Sequence, residues 1–198
     1  MQSKKINKLF FLILTILLVN TELLASPKEF ISKLTNDASK VLASYDSKDE
    51  KMLKLINLAE ENVDINGIGM YTLGKYRKSL SENEIKEYNI LFKKYFLKSF
   101  ASRLSEYTDP KINVLSEEVI NKKYTIVSSI LEANDKRPEI KIDWRVYTIN
   151  PKRLLVRDLI IEGLSLARTQ REEFNSVIQN GDGNIEVLFS NLREFITN

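Results

Sequence analysis

The chain has 198 residues, of which 43% are apolar, with no cysteine, no histidine and a formal net charge of +3. Lacking those two residue types, it has neither a Cys–His or Ser–His catalytic relay, nor a disulfide framework, nor the usual zinc ligands. The sequence shows no concentrated basic patch, so nucleic-acid binding is set aside as well.

The first 25 residues read as a secretion signal. Three lysines between residues 4 and 8 precede an apolar run of 11 residues, Leu9 to Val19. Spanning a bilayer takes roughly 20 residues, so this run is too short for a membrane helix. We expect cleavage after Ala25, although Leu23 is larger than the residue preferred two positions earlier, which keeps an uncleaved anchor as an alternative. The mature chain, 26–198, would be a soluble periplasmic protein with a net charge near +1.

Helical spacing dominates the first half of the mature chain. The predicted helices run from Pro27 to Tyr45, from Ser47 to about Ala59, from Asp64 to Leu73, and from Ser81 to about Tyr107. Ser47 with Glu50 and Ser81 with Glu84 have the spacing of capping boxes, and Gly74 is placed to close the third helix in a left-handed conformation.

After Pro110 the apolar residues alternate, which predicts strands joined by short polar links. The predicted strands are 112–120, 124–132, 139–148 and 153–161, and helices over 166–179 and 184–196 complete the chain. In the third strand Ile142, Trp144 and Val146 face one way, while Asp143 and Arg145 face the other. The expected fold is α+β: a curved four-stranded antiparallel sheet (111–162) with helices over one face (27–108 and 164–198).

The fourth helix carries an aromatic stripe that has two interpretations. Tyr88, Phe92, Phe96, Phe100 and Leu104 recur every four residues. A stripe of this kind, taken alone, is more often a packed core than a ligand site. The second interpretation is that part of it lines an apolar cavity between the helices and the sheet, with Ser128 and Ser129 leaving space.

Candidate enzymatic groups are few. Glu117 and Glu118 are adjacent on a strand and so point to opposite faces, which excludes a close carboxylate pair. A lone Asp143 or Asp158 beside a tyrosine is the remaining possibility for a catalytic base, and a lone carboxylate is weak evidence. No metal site and no cofactor are expected, since the Gly67–Gly69 segment lacks the pattern of a phosphate-binding loop.

A motif at the end of the sheet carries the strongest signal. It has the form V-x-D-x-x-x-E-G-x-S-L followed by Arg and Phe, and consists of Val156, Asp158, Glu162, Gly163, Ser165, Leu166, Arg171 and Phe174. Three further blocks stand in order before it: Leu73-Gly74 with Tyr76, the aromatic stretch Glu84 to Tyr107, and Ile142-Asp143-Trp144-Arg145. In these four blocks the chain resembles the MlaC family of periplasmic phospholipid carriers.

The resemblance implies a sheet related to the nuclear-transport-factor-2 type, joined to a helical part that encloses the acyl tails. It also implies phospholipid as cargo, and as partners an outer-membrane lipoprotein complex and an inner-membrane ABC-transporter complex with a substrate-binding ring, which maintain membrane lipid asymmetry. A small periplasmic isomerase or hydrolase of similar fold and a structural adaptor are the alternatives.

A lipid site must enclose its cargo. Each methylene removed from water is worth ~0.8 kcal/mol, so two long acyl chains represent on the order of 20 kcal/mol. The residues predicted to contact lipid are Met70, Leu73, Phe92, Phe96, Phe100, Ile126, Ser128, Ile130, Ile142, Trp144, Val146 and Val156. Arg168 and Arg171 either steer a headgroup phosphate or take part in a structural ion pair, for instance Arg171 with Asp158 or Glu162, and the ion pair is slightly favoured.

Overall fold

The computed structural model describes residues 25–135 and 137–198, so the predicted leader lies outside the described residues except for Ala25. The described part begins with four α-helices: α1 Pro27–Ala43, α2 Lys48–Asn62, α3 Ile65–Thr72 and α4 Glu82–Leu104. The strands β1 Ile112–Asn121, β2 Tyr124–Leu131, β3 Ile140–Tyr147, β4 Leu155–Ile161 and β5 Leu164–Ser165 follow. Helices α5 Leu166–Asn180 and α6 Ile185–Thr197 complete it.

The helices begin where the sequence provides side-chain caps. In the boxes Ser47–Glu50 and Ser81–Glu84, the serine hydroxyl accepts the backbone N–H of the glutamate, and the carboxylate accepts the backbone N–H of the serine. These interactions satisfy helix N–H groups that have no partner within the helix. Asp64 caps α3 by accepting the N–H of Gly67, and Gly74 follows α3 with φ of +57°. The predicted caps are therefore confirmed.

The sheet is an antiparallel meander with strand order β1-β2-β3-β4-β5. All four predicted strands are present, and the two-residue β5, which was not predicted, pairs with the end of β4. In the register of β2 and β3, Val127 lies opposite Trp144 and Ser128 opposite Asp143. Irregularities in β1 and β4 interrupt the pairing, and bulges of this kind bend a strand.

Helix α1 packs on one face of the sheet, and the first turn of α5 reaches the other face at β4. Ile31 of α1 packs with Val127, Val146 and Val156, and this side is called the α1 face. The opposite side, called the α5 face, carries the side chain of Asp158, which hydrogen-bonds to the first turn of α5.

The apolar residues form separate clusters. The largest, called the helical cluster, consists only of residues from α2 to α6 and the loop residue Leu73, with Tyr88, Phe92 and Phe189 among its most buried members. The sheet cluster lies between α1 and the α1 face. Val63, between α2 and α3, is partly buried and packs against both.

Candidate functional site

The residues predicted to contact lipid fall into three groups, and the first belongs to the helical cluster. Leu73 and Phe92 are buried there, and Met70, Phe96 and Phe100 are partly buried and pack against the cluster. Successive rings of α4 lie close together: the centroids of Phe92 and Phe96 are 6.1 Å apart and those of Phe96 and Phe100 are 5.9 Å apart. We call these three neighbouring rings, Phe92, Phe96 and Phe100, the aromatic ladder.

The second group lies on the α1 face. Val146 and Val156 are buried in the sheet cluster, Trp144 packs against it, and Ile142 is buried nearby on the same face. The helix that covers this face is α1, through residues such as Ile31, and not the aromatic helix α4 as the sequence suggested. The aromatic ladder is instead covered by α5 and α6, since Phe174 of α5 makes an edge contact with Phe92.

The third group, Ile126, Ser128 and Ile130, is half-buried on the α5 face, opposite to the second group. The predicted space beside the serines is occupied by polar partners. Ser128 donates a 2.6 Å hydrogen bond to Asp143, while buried Ser129 accepts one of 2.8 Å from the Trp144 indole. The small side chains therefore accommodate neighbouring polar groups, and a role for all three groups in lipid contact stays a prediction.

Two cavities of the described residues can be compared with the volume that a lipid site requires. The two best-defined cavities have volumes of about 160 and 260 Å³. The smaller lies between α1 and the start of β1, and the larger between Thr72–Lys75 and α5. Neither is lined by the aromatic ladder, and both are well below the roughly 1,000 Å³ that a large ligand pocket occupies. Neither of these two cavities is the one predicted between the sheet and the helices.

The motif at the end of the sheet builds the junction between β4 and α5. Glu162 and Gly163 both have left-handed backbone, with φ of +49° and +81°, and glycine adopts that conformation at little cost. The turn brings Ser165 and Ala167 back over Asp158. The Asp158 carboxylate accepts hydrogen bonds from the Ser165 hydroxyl at 2.6 Å and from the Ala167 N–H at 3.0 Å.

Arg145 of β3 completes this junction. It lies opposite Asp158 in the register, and its guanidinium is 3.3 Å from the carboxylate. The expected ion pair of Arg171 with Asp158 is therefore wrong. Arg171 lies over the ring of Tyr71 instead, 5.1 Å from its centroid, and Arg168 is exposed. The Trp144-Arg145 block carried a signal for this pairing, because its arginine points away from the apolar face. A headgroup role for Arg168 and Arg171 stays a prediction.

A second junction, which sequence reasoning missed, ties α3 to the sheet. Arg157 of β4 forms an ion pair with Asp64, the cap of α3. Its guanidinium also lies 4.5 Å from the ring centroid of Tyr147 and 3.3 Å from the hydroxyl of Tyr124. The Asp64 N–H donates to the Val156 carbonyl at 2.9 Å. Residues 93 positions apart in sequence meet here, which local patterns do not report.

The titratable groups of the interior have structural partners. Burial raises the pKa of the Tyr88 phenol, whose hydroxyl forms a 2.7 Å hydrogen bond with Thr72. Burial likewise raises the pKa of Tyr95, which donates to Gln170. Asp158 and Asp143 are both engaged as described above, so neither is the unpartnered base that the enzyme alternative needs. Within residues 25–135 and 137–198, no cluster of three or more acidic side chains is placed to hold a metal ion.

No helix of the described residues combines the length and apolarity that crossing a membrane requires.

Comparisons with known proteins show which family and which solved structure this chain is similar to. Residues 28–194 match the family described as MlaC protein. Among solved structures, the chain is similar to a phospholipid-binding protein from Ralstonia solanacearum, determined in complex with a phospholipid. That likeness has a TM-score of 0.72 at 18% sequence identity and covers 87% of this chain and 98% of the other, so it supports a common fold. A search of curated proteins found no match.

Proposed function

Because the chain belongs to the MlaC family, we propose that it is a phospholipid-binding carrier of the periplasm and not an enzyme. It moves lipid between an outer-membrane lipoprotein complex and an inner-membrane ABC-transporter complex. The observation that carries the proposal is the family match over residues 28–194. The likeness of the whole fold to a protein that holds a phospholipid supports it.

The acyl tails enter between the helical cluster and the α5 face of the sheet. Two features support this location. The half-buried Ile126 and Ile130 leave apolar surface on that face, and Phe96 and Phe100 of the aromatic ladder are also only partly buried. The cavities of about 160 and 260 Å³ are each too small for two tails, so we infer that the helical cluster and the sheet move apart on loading.

The connections between the helical cluster and the sheet suit such a movement. The helical cluster contains no strand residue, and Val63 packs against both clusters. The polar junctions Arg157–Asp64 and Asp158–Ala167 hold β4 against α3 and α5. Separation elsewhere exposes apolar surface that the tails then cover, so the cost of opening is offset by burial of the cargo.

Lipid extraction tests the proposal. The mature protein, purified without added lipid, should yield phospholipid on solvent extraction, identified by mass spectrometry. Introducing a charge with Phe96→Asp should reduce the lipid recovered per protein several-fold, because a carboxylate among the tails loses its hydration. The matched control is Ile90→Asp, at an exposed position of the same helix, which should leave lipid recovery unchanged.

A second variant tests the sheet side. Ser128→Trp places a large side chain on the α5 face and should also reduce lipid recovery, whereas Ser102→Trp, at an exposed position of α4, should not. Lipid-free wild-type protein would contradict the proposal outright. Normal recovery in both Phe96→Asp and Ser128→Trp would instead contradict the location of the tails.

A further inference from the structure

Two connections of the sheet meet at one end of the molecule. The β1–β2 turn and the β3–β4 loop are neighbours, because the Thr148 N–H donates to the carbonyl of Lys123 at 2.9 Å. We call residues 119–123 and 148–153 together the basic tip. The two segments are far apart in sequence, so neither the charge count nor a scan along the chain shows them as one surface.

The two segments of the basic tip have the same local design. One reads Ile120-Asn121-Lys122-Lys123 and the other Ile149-Asn150-Pro151-Lys152-Arg153. In each, the asparagine side chain accepts the backbone N–H of the residue two positions later, at 2.8 Å in the first and 3.1 Å in the second. Such side-chain turns fix the loop backbone. Each segment consequently places one isoleucine and two cations beside a fixed turn.

The apolar side chains of the basic tip face solvent. Val119 is 73% exposed, and Ile120 and Ile149 are each 52% exposed. All four cationic residues are exposed too, and neither segment contains an aspartate or glutamate. The acidic residues that precede the tip on β1 are Glu117 and Glu118, and Glu117 already accepts the backbone N–H of Lys28 at 2.7 Å.

Protection of the sheet edge does not explain this surface. Lysines on an edge strand discourage pairing with another chain, and β1 is an edge strand. The β3–β4 loop, however, joins two interior strands and still presents the same combination of isoleucine and two cations. Exposed isoleucines would favour association, not prevent it.

We propose that the basic tip docks on the surface of an anionic phospholipid bilayer. Lysine and arginine next to such a surface are attracted by its negative potential, and nearby apolar side chains insert at the headgroup boundary. The exposed apolar side chains at the end of β1 and in the β3–β4 loop suit shallow insertion between headgroups. An acidic protein surface would satisfy the cations but not the protruding isoleucines, so the bilayer is the better match.

This inference goes beyond the proposed carrier function and is independent of it. The tip lies on the turns of the sheet, whereas the proposed tail site involves the aromatic ladder and the α5 face. Docking would hold the protein at a membrane whether or not its interior contains lipid.

Vesicle cosedimentation tests the proposal on the mature protein. We expect binding to vesicles of phosphatidylcholine mixed with phosphatidylglycerol, little binding to phosphatidylcholine alone, and weaker binding at higher salt. Replacing all four cations of the tip by glutamine should weaken partitioning by roughly two orders of magnitude or more, since each cation contributes roughly fivefold and the factors multiply. Ile120→Ser with Ile149→Ser should weaken it less and leave the remaining binding more sensitive to salt.

A matched control removes the same charge elsewhere. It replaces four exposed cations of the helical part by glutamine: Arg77, Lys78, Lys86 and Lys94. Equal loss in the control and in the tip variant would show general electrostatic attraction and overturn the proposal. No vesicle binding by the wild type would also overturn it and would favour an acidic protein as the occupant. Lipid recovery and thermal unfolding of the tip variants should match the wild type, which separates this outcome from failure of the carrier function.

Discussion

Asp158 joins strand to helix through one carboxylate. It is 3% exposed and accepts hydrogen bonds from Ser165 and Ala167 beside the guanidinium of Arg145. Asp158→Asn keeps the shape but replaces one acceptor oxygen by a donor and leaves Arg145 without its counter-charge. We expect a loss of about 2–3 kcal/mol in the free energy of unfolding, measured by urea denaturation.

Asp143→Asn provides the comparison for that prediction. Asp143 is more exposed and pairs with Ser128 and Lys141, so its loss should cost clearly less. If Asp158 were a catalytic base held ready for substrate, its replacement would leave stability nearly unchanged. An unfolding midpoint equal to that of the wild type would therefore contradict the structural role.

Gly67 is required by a close approach of Arg157 and not by its backbone angle. A Cβ built at this position would lie 2.5 Å from the guanidinium carbon of Arg157 and 2.5 Å from a carboxylate oxygen of Asp64. Alanine normally stabilises a helix relative to glycine by up to ~1 kcal/mol. At Gly67 we expect the opposite sign, a loss of roughly 1–3 kcal/mol, from displacement of the Arg157–Asp64 pair.

A double-mutant cycle shows whether Arg157 is the cause. In an Arg157→Ala background the clash with the guanidinium disappears, so Gly67→Ala should cost less than in the wild type. Circular dichroism during thermal unfolding of the four proteins gives the comparison. Equal costs in both backgrounds would place the clash elsewhere, for instance at Asp64.

At the scale of elements, the capping boxes make helix stability depend on pH. Hydrogen bonds from Ser47 and Ser81 lower the pKa of Glu50 and of Glu84 below the ordinary value of 4.5. A carboxyl whose pKa is lower in the folded state adds stability above its unfolded pKa and loses that contribution as the pH falls through the folded pKa. The contribution is therefore full at neutral pH and vanishes in acid.

The double variant Glu50→Gln with Glu84→Gln should show this pH dependence. It should have a lower urea midpoint than the wild type at neutral pH, and the difference should shrink as the pH falls below 4.5. Glu106→Gln, outside the helices, is the control and should differ little from the wild type at either pH. A difference that grew in acid would have the wrong sign for the capping interaction.

Elements governed by local chemistry were predictable from the sequence. The serine–glutamate boxes predicted the starts of α2 and α4, and alternation predicted β3 with Val146 directed inwards. β5 escaped prediction because two residues carry no periodicity, and its pairing depends on the turn at Gly163. The boundaries of these elements depend on residues that are only a few positions apart in the sequence, so local patterns predict them.

The candidate site was less predictable because it depends on which elements meet. The aromatic stripe identified α4 correctly as a helix with one apolar face, but α5 and α6 compete with the sheet to cover it, and sequence spacing does not rank them. The register between paired strands determines the side of the sheet on which each predicted lining residue lies. Ile126 and Trp144 therefore lie on opposite faces although both had been assigned to one site.

At the scale of the whole molecule, the packing of the two clusters predicts how the protein responds to loss of lipid. The buried apolar side chains of the helical cluster and of the sheet cluster pack against one another within each cluster. Protein from which lipid has been extracted should therefore remain compact, with a radius of gyration near ~16 Å for the mature chain. It should also unfold cooperatively and bind little of the dye ANS, which reports exposed apolar surface.

Reloading with phospholipid should enlarge the molecule, because the tails need more volume than either of the two cavities provides. Small-angle scattering of the two forms measures that change, and dye binding reports whether the stripped form exposes its apolar lining. Phe96→Asp, which should prevent loading, ought to keep the smaller radius after exposure to lipid. A stripped protein that expands, binds ANS strongly and unfolds without cooperativity would mean that lipid is part of the core. In that case the sheet cluster and the helical cluster would not be stable without lipid, and the proposed separation of the two clusters on loading would be wrong.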